Sequence, residues 1–491
     1  MLLYILNHPY HYELENLCRV FYPNEAIQVR RAEAFQASGI GNQGTGRLQV
    51  VKSIVVITQL KDNLLTVKLC HDSQFLILNS QFTENNELAF ARMLFVLLRR
   101  ATGYTPPWGL LTGVRPAKLM LKLRRDIGEK EAERYFRETL WVSEEKTALA
   151  AAVARSEEPV LALSKKNSFS LYVSIPFCPS RCAYCSFVSH TVERQSAQKL
   201  IPAYVERLCE EIAHTGRVAS ELDLKLESVY IGGGTPTTLS AAQLARLCGA
   251  LRDHFDMPDC QEFTVEAGRA DTITEEKLLA LRDYGVTRLS INPQSMRDNV
   301  LALAGRRHSA EDVLRCFDLA RGLGYDNINM DLIAGLPGDD PAGFRCSLET
   351  LIQIRPESIT VHALALKRSA SLEEIHGAQA CAGMLRIAGE LLPAAGYAPY
   401  YMYRQSRTLG NLENIGWALP GKRCRYNIDM MEESHSILAC GAGGVTKCRQ
   451  WGADRLERIF SLKYPYEYLA RFEGLMARKE GIKAFYKTYN S

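Results

Sequence analysis

The sequence predicts an α/β protein built around a partial (β/α)6 barrel, preceded by an α/β module and followed by a small mixed extension. Three observations predict it. After Ser168, short apolar strands alternate with amphipathic helices through six units. The strands are "SLYVSIPF", "ESVYIGGG", "EFTVEAG", "RLSINPQS", "NINMDLIAGLP" and "SITVHALAL". Between them lie helical patterns such as "AYVERLCEEIAHTG", "AAQLARLCGALRDHF" and "GFRCSLETLIQIR". Strand and helix in strict alternation require a parallel sheet with helices outside. Second, glycines and polar residues collect at the strand ends, where loops at the C-terminal rim of a parallel sheet build a site. Third, six units are too few to close an eight-stranded barrel, so the sheet is expected to stay open.

The flanks follow. A chain of 491 residues is too long for one core. From Leu2 to about Ser80 the pattern is strand-like, with "LQVVKSIVVITQL", "NLLTVKLC" and "SQFLILNS". From about Glu84 to Leu163 it turns helical, as in "NELAFARMLFVLLRR", "EKEAERYFRETL" and "EEKTALAAAVARS". "SEEPVLALSKKNS", from Ser156 to Ser168, reads as a linker. The tail contains strand-like "APYYMYRQ" and "SILACGAGGVTK" and a closing helix, "PYEYLARFEGLMARKEG". The expected domains are residues 1–160, 165–395 and 396–491.

Composition excludes several classes. Apolar residues are 47% and charged residues 23%, as in folded globular proteins. No apolar run approaches a membrane span, and the N-terminal stretch lacks the features of a signal peptide, so a cytoplasmic location is expected. A net charge of +4 argues against bulk nucleic-acid binding. One basic concentration, "GVRPAKLMLKLRRD", reads either as the solvated face of a helix or as a docking surface for an acidic partner.

Of 14 cysteines, most are scattered singly and read as small buried hydrophobes. Cys178, Cys182 and Cys185 differ: they form "CPSRCAYC", directly after the first strand of the series. A closed zinc site takes four ligands, and a redox dithiol needs only two cysteines. Three thiolates in a loop over a parallel sheet suit a [4Fe–4S] cluster with one iron left open. The second strand ends in "YIGGGTP", where glycines let a ligand approach and are expected to leave amides and carbonyls free to bind it. Glu266 ends the third strand and Gln294 the fourth, Arg306 lies just beyond, and Asp331 is on the fifth. Any one of these could be a loop anchor; four at one rim point to a ligand.

"YVSIPFCPSRCAYCSF", "GGGTPT", "TVEA", "RLSINPQS" and "DLIAGLPG" together resemble the radical S-adenosylmethionine (SAM) enzymes, in the oxygen-independent coproporphyrinogen III oxidase group. "LLTGVRPAKL" and "PYYMYRQ" resemble its HemZ-type branch. The core likeness covers about residues 168–368. It implies a radical SAM barrel in which Cys178, Cys182 and Cys185 hold a [4Fe–4S] cluster. It further implies that Tyr172, Tyr184, Gly233, Gly234, Thr235, Glu266, Gln294, Arg306, Asp331 and Ala365 contact SAM. The implied reaction is reductive cleavage of SAM to a 5′-deoxyadenosyl radical. That radical takes hydrogen from a propionate of the tetrapyrrole substrate, which then loses carbon dioxide and one further electron to leave a vinyl group. The implied partners are that tetrapyrrole and an electron donor such as flavodoxin or ferredoxin, with no nucleic acid and no membrane span. Propionates call for cations, and Arg115, Arg404, Arg423 and Arg425 are candidates.

Two departures from the family pattern matter. Phe187 stands where the oxidases carry a further cysteine. Glu413, in "ENIGWALPGKRCRYN", stands where the related haem chaperones carry a histidine. A haem chaperone and a radical methyltransferase acting on a tetrapyrrole therefore remain as alternatives.

Overall fold

The computed structural model describes residues 1–23, 25–32, 54–71, 74–82, 85–185, 187, 189–193, 195–365, 377–405 and 408–489. By internal packing the chain falls into two compact units. The first comprises Met1–Val114 and Leu123–Leu149, and the second Arg115–Lys122 and Ala150–Ser491.

The first unit is a five-stranded sheet backed by helices. Its strands are β1 (Leu2–Leu6), β2 (Gln28–Ala32), β3 (Val55–Lys61), β4 (Leu64–His71) and β5 (Gln74–Gln81), in the order β2-β1-β3-β4-β5. One helix, Tyr12–Phe21, interrupts the region expected to be all strand. Leu14, Leu17, Cys18 and Phe21 are spaced for one helical face, and all four are buried. That stripe packs against Phe90, Leu94 and Phe95 of helix Asn86–Thr102. The first six residues of "LQVVKSIVVITQL" lie outside the described residues. Half of the expected linker is helical: helix Glu144–Leu161 runs through it, and Glu157 is buried.

The second unit carries the predicted β/α series. β6 (Ser168–Ile175) leads into a short strand, β7 (Phe177–Cys178), which pairs with β8 (His190–Thr191). Then come β9 (Lys225–Gly233), β10 (Glu262–Gly268), β11 (Arg288–Ile291), β12 (Ile328–Ala334) and β13 (Ser358–Ala363). β6 and β9–β13 pair in parallel, each with its neighbour in the series, so crossover segments must carry the chain back between them. The arc is open. β15 (Glu413–Ala418) and β14 (Ala398–Arg404) extend it antiparallel beyond β13, and β16 (Ser436–Cys440) lies parallel beside β6. β17 (Val445–Arg449) and β18 (Leu456–Phe460) finish that edge. The strands of the tail thus lengthen the core sheet.

Helix Arg425–Glu432 plugs the end where the strands start. The backbone N–H groups of Arg425 and Tyr426 donate to Glu262 at the head of β10 (2.7 and 3.4 Å), and the Arg425 guanidinium pairs with Glu227 (3.1 Å) and Asp429 (3.3 Å). Buried charges of this kind persist only when paired. Tyr426 points up from the plug and stacks on Tyr230, 4.5 Å between centroids, and on Tyr172, 6.2 Å. The basic stretch ends up as helix Pro116–Ile127. Its Arg115 and Lys118 pair with Glu433 at 2.7 and 3.2 Å.

Candidate functional site

The site is assembled at the opposite end, from the loop that follows β6. Cys178 and Cys182 are each 9% exposed, and Cys185 is partly buried. The loop is held from three sides. The Gly234 N–H donates to the Ile175 carbonyl and the Thr235 N–H to the Phe177 carbonyl, both at 2.8 Å. The Ala183 N–H donates to the Ala304 carbonyl at 3.0 Å. Arg269, 2% exposed, sends Nη1 to the Ser180 hydroxyl (2.8 Å) and towards Cys182 Sγ (3.8 Å), while Asp271 grips its other edge at 2.7 and 2.9 Å. The Thr235 hydroxyl reaches Cys178 Sγ at 3.6 Å. Donors aimed at cysteine sulfur stabilise a thiolate and tune a cluster.

The glycines after β9 make room for this loop. A Cβ on Gly234 would lie 2.5 Å from the Phe177 carbonyl and 3.0 Å from Cys178 Sγ. Gly233 has φ +109, a conformation side chains rarely adopt, and its Cβ would press on Phe187 and Ser174. The amides of this segment are engaged within the fold, because Glu266 accepts from Gly233 as well. The expectation of free N–H groups is therefore corrected: those of residues 233–235 are already engaged within the fold.

Two carboxylates on the rim have opposite tendencies. Burial raises Glu266 to about 7, with the nearby Asp331 adding to the effect and the Tyr230 hydroxyl, 2.6 Å away, opposing it. Asp331 is as deeply buried, which works against its charge. His362 at 3.6 Å, Asn329 at 2.7 Å and Thr360 outweigh burial and hold it below the ordinary carboxylate range. Gln294 lies between the two strands with φ +71, its backbone locked to Asp331 and Ile333. Among the described residues its buried Oε1 has no partner, so it is an acceptor that a ligand's donor can satisfy. Arg306 donates to the Tyr184 hydroxyl (3.1 Å) and the Asn292 carbonyl (2.7 Å), which couples the last turn of the cysteine loop to the fourth strand. Tyr172 stacks on Tyr230, and Ala365 pairs with Thr408 beside β13.

Among the described residues, no three His, Cys, Asp or Glu side chains converge tightly enough for a single metal ion. Three thiols set around a multi-iron cluster do not need to. Burial pushes Cys178 and Cys185 up, so thiolates there call for adjacent positive charge, which iron supplies. With three thiols in one loop, donors aimed at two of them, and a Gln294 oxygen unpartnered among the described residues, the residues fit a cluster and a small ligand.

The comparisons decide the family. The sequence profile of the Radical SAM superfamily matches residues 172–351. The oxygen-independent coproporphyrinogen-III oxidase-like protein HemZ of Bacillus subtilis (strain 168) is 38% identical over 387 residues, covering 77% of this chain and 77% of that protein. The chain belongs to the HemZ-type branch of the radical SAM superfamily. The haem chaperone HemW of Bacillus subtilis (strain 168) is 37% identical over 199 residues, and there the match covers 40% of this chain and 51% of that one. Among solved structures, coproporphyrinogen III oxidase (HemN) from Escherichia coli shares the fold, with a TM-score of 0.52 and 22% identity over 65% of this chain and 72% of that one. The cofactors of this radical SAM protein are a [4Fe–4S] cluster and SAM. No helix among the described residues is long and apolar enough to cross a membrane.

Several supporting residues carry no mark in the sequence. Arg269, Asp271, Tyr230, Tyr426 and His362 all support the site, and nothing in their local patterns sets them apart. A larger omission is a buried network behind β6. Lys479, from helix Phe472–Tyr489, pairs with Glu211 at 2.8 Å, and Glu211 also accepts from the Tyr468 hydroxyl (2.6 Å) and the Gly441 N–H (2.8 Å). Next to it, Ser174 of β6 donates to the Ala442 carbonyl (2.7 Å), and the Tyr204 hydroxyl bridges Ser174 and Ala442. The tail thereby fixes the end of the strand that launches the cysteine loop. Two arginine candidates for propionate binding lie elsewhere: Arg425 is in the plug and Arg115 is on Glu433. His435 is buried against Asp429, Ser164 and Ser170.

Glu266 yields a pH prediction. A cationic ligand beside it favours the ionised form, so binding should release a proton where the free protein holds one, below about pH 7. SAM affinity should therefore rise from about pH 6 to about pH 8, by no more than about tenfold in all, since a single proton with a free-state value of about 7 is released. Calorimetry in two buffers of different ionisation enthalpy measures the released protons. Glu266→Gln should remove that component; an unchanged release would assign it to another group.

Proposed function

We propose that this protein carries out the oxygen-independent oxidative decarboxylation of coproporphyrinogen III, converting propionate to vinyl side chains in porphyrin biosynthesis. The observation that carries the reading is the extent of its likeness to the HemZ protein, which reaches beyond the core into both flanks. When bound, the cluster and SAM supply a carbon-centred radical able to remove hydrogen from an unactivated carbon. On this reading, Cys178, Cys182 and Cys185 hold the cluster. Gly233, Gly234 and Thr235 hold SAM's methionine end. Asp331, held ionised, accepts from ribose hydroxyls, and Gln294 Oε1 accepts a further donor. Glu266 balances positive charge in a dry site. The stacked Tyr172, Tyr230 and Tyr426 close the floor and exclude water from the radical. An electron donor such as flavodoxin or ferredoxin would reduce the cluster.

A haem chaperone on the same scaffold is the second reading, favoured by the HemW likeness. Against it, the position where the chaperones carry a histidine holds Glu413, fully buried in β15 opposite Arg404. The deciding experiment is anaerobic incubation of reconstituted protein with SAM, a reductant and coproporphyrinogen III. Harderoporphyrinogen or protoporphyrinogen with release of carbon dioxide is expected. Their absence, together with haem binding and transfer to an apo-cytochrome, would favour the chaperone; a methylated product would reassign the protein as a methyltransferase.

A further inference from the structure

Behind Arg269 and Asp271 the contacts of the cysteine loop run on to one more side chain. His308 is 4% exposed, and its ring has no accessible surface. Its Nδ1 lies 3.7 Å from Asp271 Oδ1, longer than a hydrogen bond but near enough for the imidazole dipole to act on the carboxylate. Neither ring nitrogen has a hydrogen-bond partner among the described residues. An imidazole buried in that condition costs free energy, and packing alone would be better served by an apolar side chain. Its value therefore lies in what it faces.

Four groups stand in line. Cys182 Sγ faces Arg269 Nη1 at 3.8 Å, Asp271 meets the other edge of that guanidinium at 2.7 and 2.9 Å, and His308 stands behind Asp271. Burial works against the Asp271 charge, but His308 and Arg269 outweigh it and hold the carboxyl well below the usual range. An anionic Asp271 offsets much of the guanidinium charge at a distance. What the sulfur senses then depends on how closely Arg269 is held to it.

Both ends of the line are fixed. The Thr272 hydroxyl donates to the Arg269 carbonyl at 2.8 Å, and Lys277 Nζ donates to the carbonyls of Thr272 (2.9 Å) and Thr237 (2.6 Å), which clamps the turn carrying Arg269 and Asp271. His308 follows Arg306, tied to Tyr184 and Asn292, and precedes Ser309, which caps helix Ala310–Gly322 in a reciprocal pair with Asp312 (2.8 and 3.1 Å). The Asp271 side chain between them is 24% exposed and borders a recess of about 410 Å³ that His308, Arg315 and Cys316 also line. That recess gives the carboxylate room to swing away from Arg269, and attraction to the fixed imidazole opposes the swing.

We infer that His308 is a positioning residue for the iron–sulfur cluster: it holds Asp271, and through it Arg269, against Ser180 and Cys182, and so sets the cluster's reduction potential. Positive charge near the sulfurs raises that potential, because the reduced cluster carries one more negative charge. An Arg269 that drifts outward therefore lowers it. The inference rests on the cluster assignment and not on the decarboxylase reading: the potential is read without substrate, so failure of either leaves the other intact.

The test uses the full chain with its cluster reconstituted and no tetrapyrrole. Redox titration followed by electron paramagnetic resonance gives the midpoint potential. His308→Phe keeps a ring in place, with the recess to take its extra size, and removes both nitrogens; His308→Leu repeats the change without a ring. Both should lower the potential, in the direction of Arg269→Leu but by less. Both should also weaken cluster binding by about tenfold, the low end of the cost of losing an outer partner at a metal site. His308→Gln, which retains a donor, should restore the original potential. In the Arg269→Leu background, His308→Phe should produce no further shift, because the charge it positions is gone. Arg315→Ala, on the exposed rim of the same recess, should change nothing. An unchanged potential in both His308→Phe and His308→Leu, a shift in His308→Gln as large as in His308→Phe, or an undiminished shift on top of Arg269→Leu would overturn the inference.

Discussion

Replacing Cys182 with alanine will abolish SAM cleavage and bleach the broad sulfur-to-iron absorbance of the reconstituted protein. The loop offers three thiols, and among the described residues neither zinc-like convergence nor a spare cysteine stands by to replace one. Phe187 occupies the position where the oxidases carry another thiol, so the loop cannot shift its ligand set by two residues. Loss of a supporting contact at a metal site typically costs about 10–100-fold, and loss of a ligand itself must cost more. Arg269→Leu is the informative partner. It leaves all three thiols in place but removes the donor at Ser180 and Cys182, and it leaves Asp271 with His308 but no arginine. Cluster content should fall by roughly that 10–100-fold range in affinity, and the reduction potential should move, because one positive charge near sulfur is gone. Cys316→Ala, away from the loop, should leave absorbance and cleavage intact. A Cys182→Ala protein that still cleaved SAM would refute the cluster assignment.

Lys479→Met will destabilise the second unit by about 3–5 kcal/mol, the cost of leaving a buried carboxylate unpaired. Glu211 is fully buried, and after the substitution it keeps Tyr468 and Gly441 but no cation. The double variant Lys479→Met/Glu211→Gln should recover a good part of the loss, since an amide needs no counter-charge. Denaturant unfolding measures both. The single variant should also lose cluster more readily, because the network anchors the end of β6. Equal destabilisation by the single and double variants would show that shape, not charge, holds the tail in place.

These two predictions differ in how visible their residues are in the sequence. The cysteine trio and the rim residues Glu266, Gln294, Arg306 and Asp331 can be read because parallel β/α order places strand ends at one rim. Local pattern alone therefore locates them. Glu211 and Lys479 cannot, because they meet across 268 residues and each sits in an ordinary amphipathic helix. Helix Tyr12–Phe21 is hidden for a related reason: strong β signals on either side mask a single four-residue stripe. The amides of 233–235 are illegible because glycine composition reveals freedom of the backbone, not what the backbone bonds to.

The placement of β16 beside β6 carries a consequence for biosynthesis. Ser174 and Ala442, which clasp each other in the finished fold, are 268 residues apart. At about 5–20 residues per second, the ribosome needs roughly 15–50 s after making the cysteine loop to deliver the strand that secures it. Throughout that interval the loop hangs from an edge strand with no neighbour on that side. Loading of iron and sulfide should therefore follow release of the full polypeptide, and truncated or stalled chains should emerge colourless.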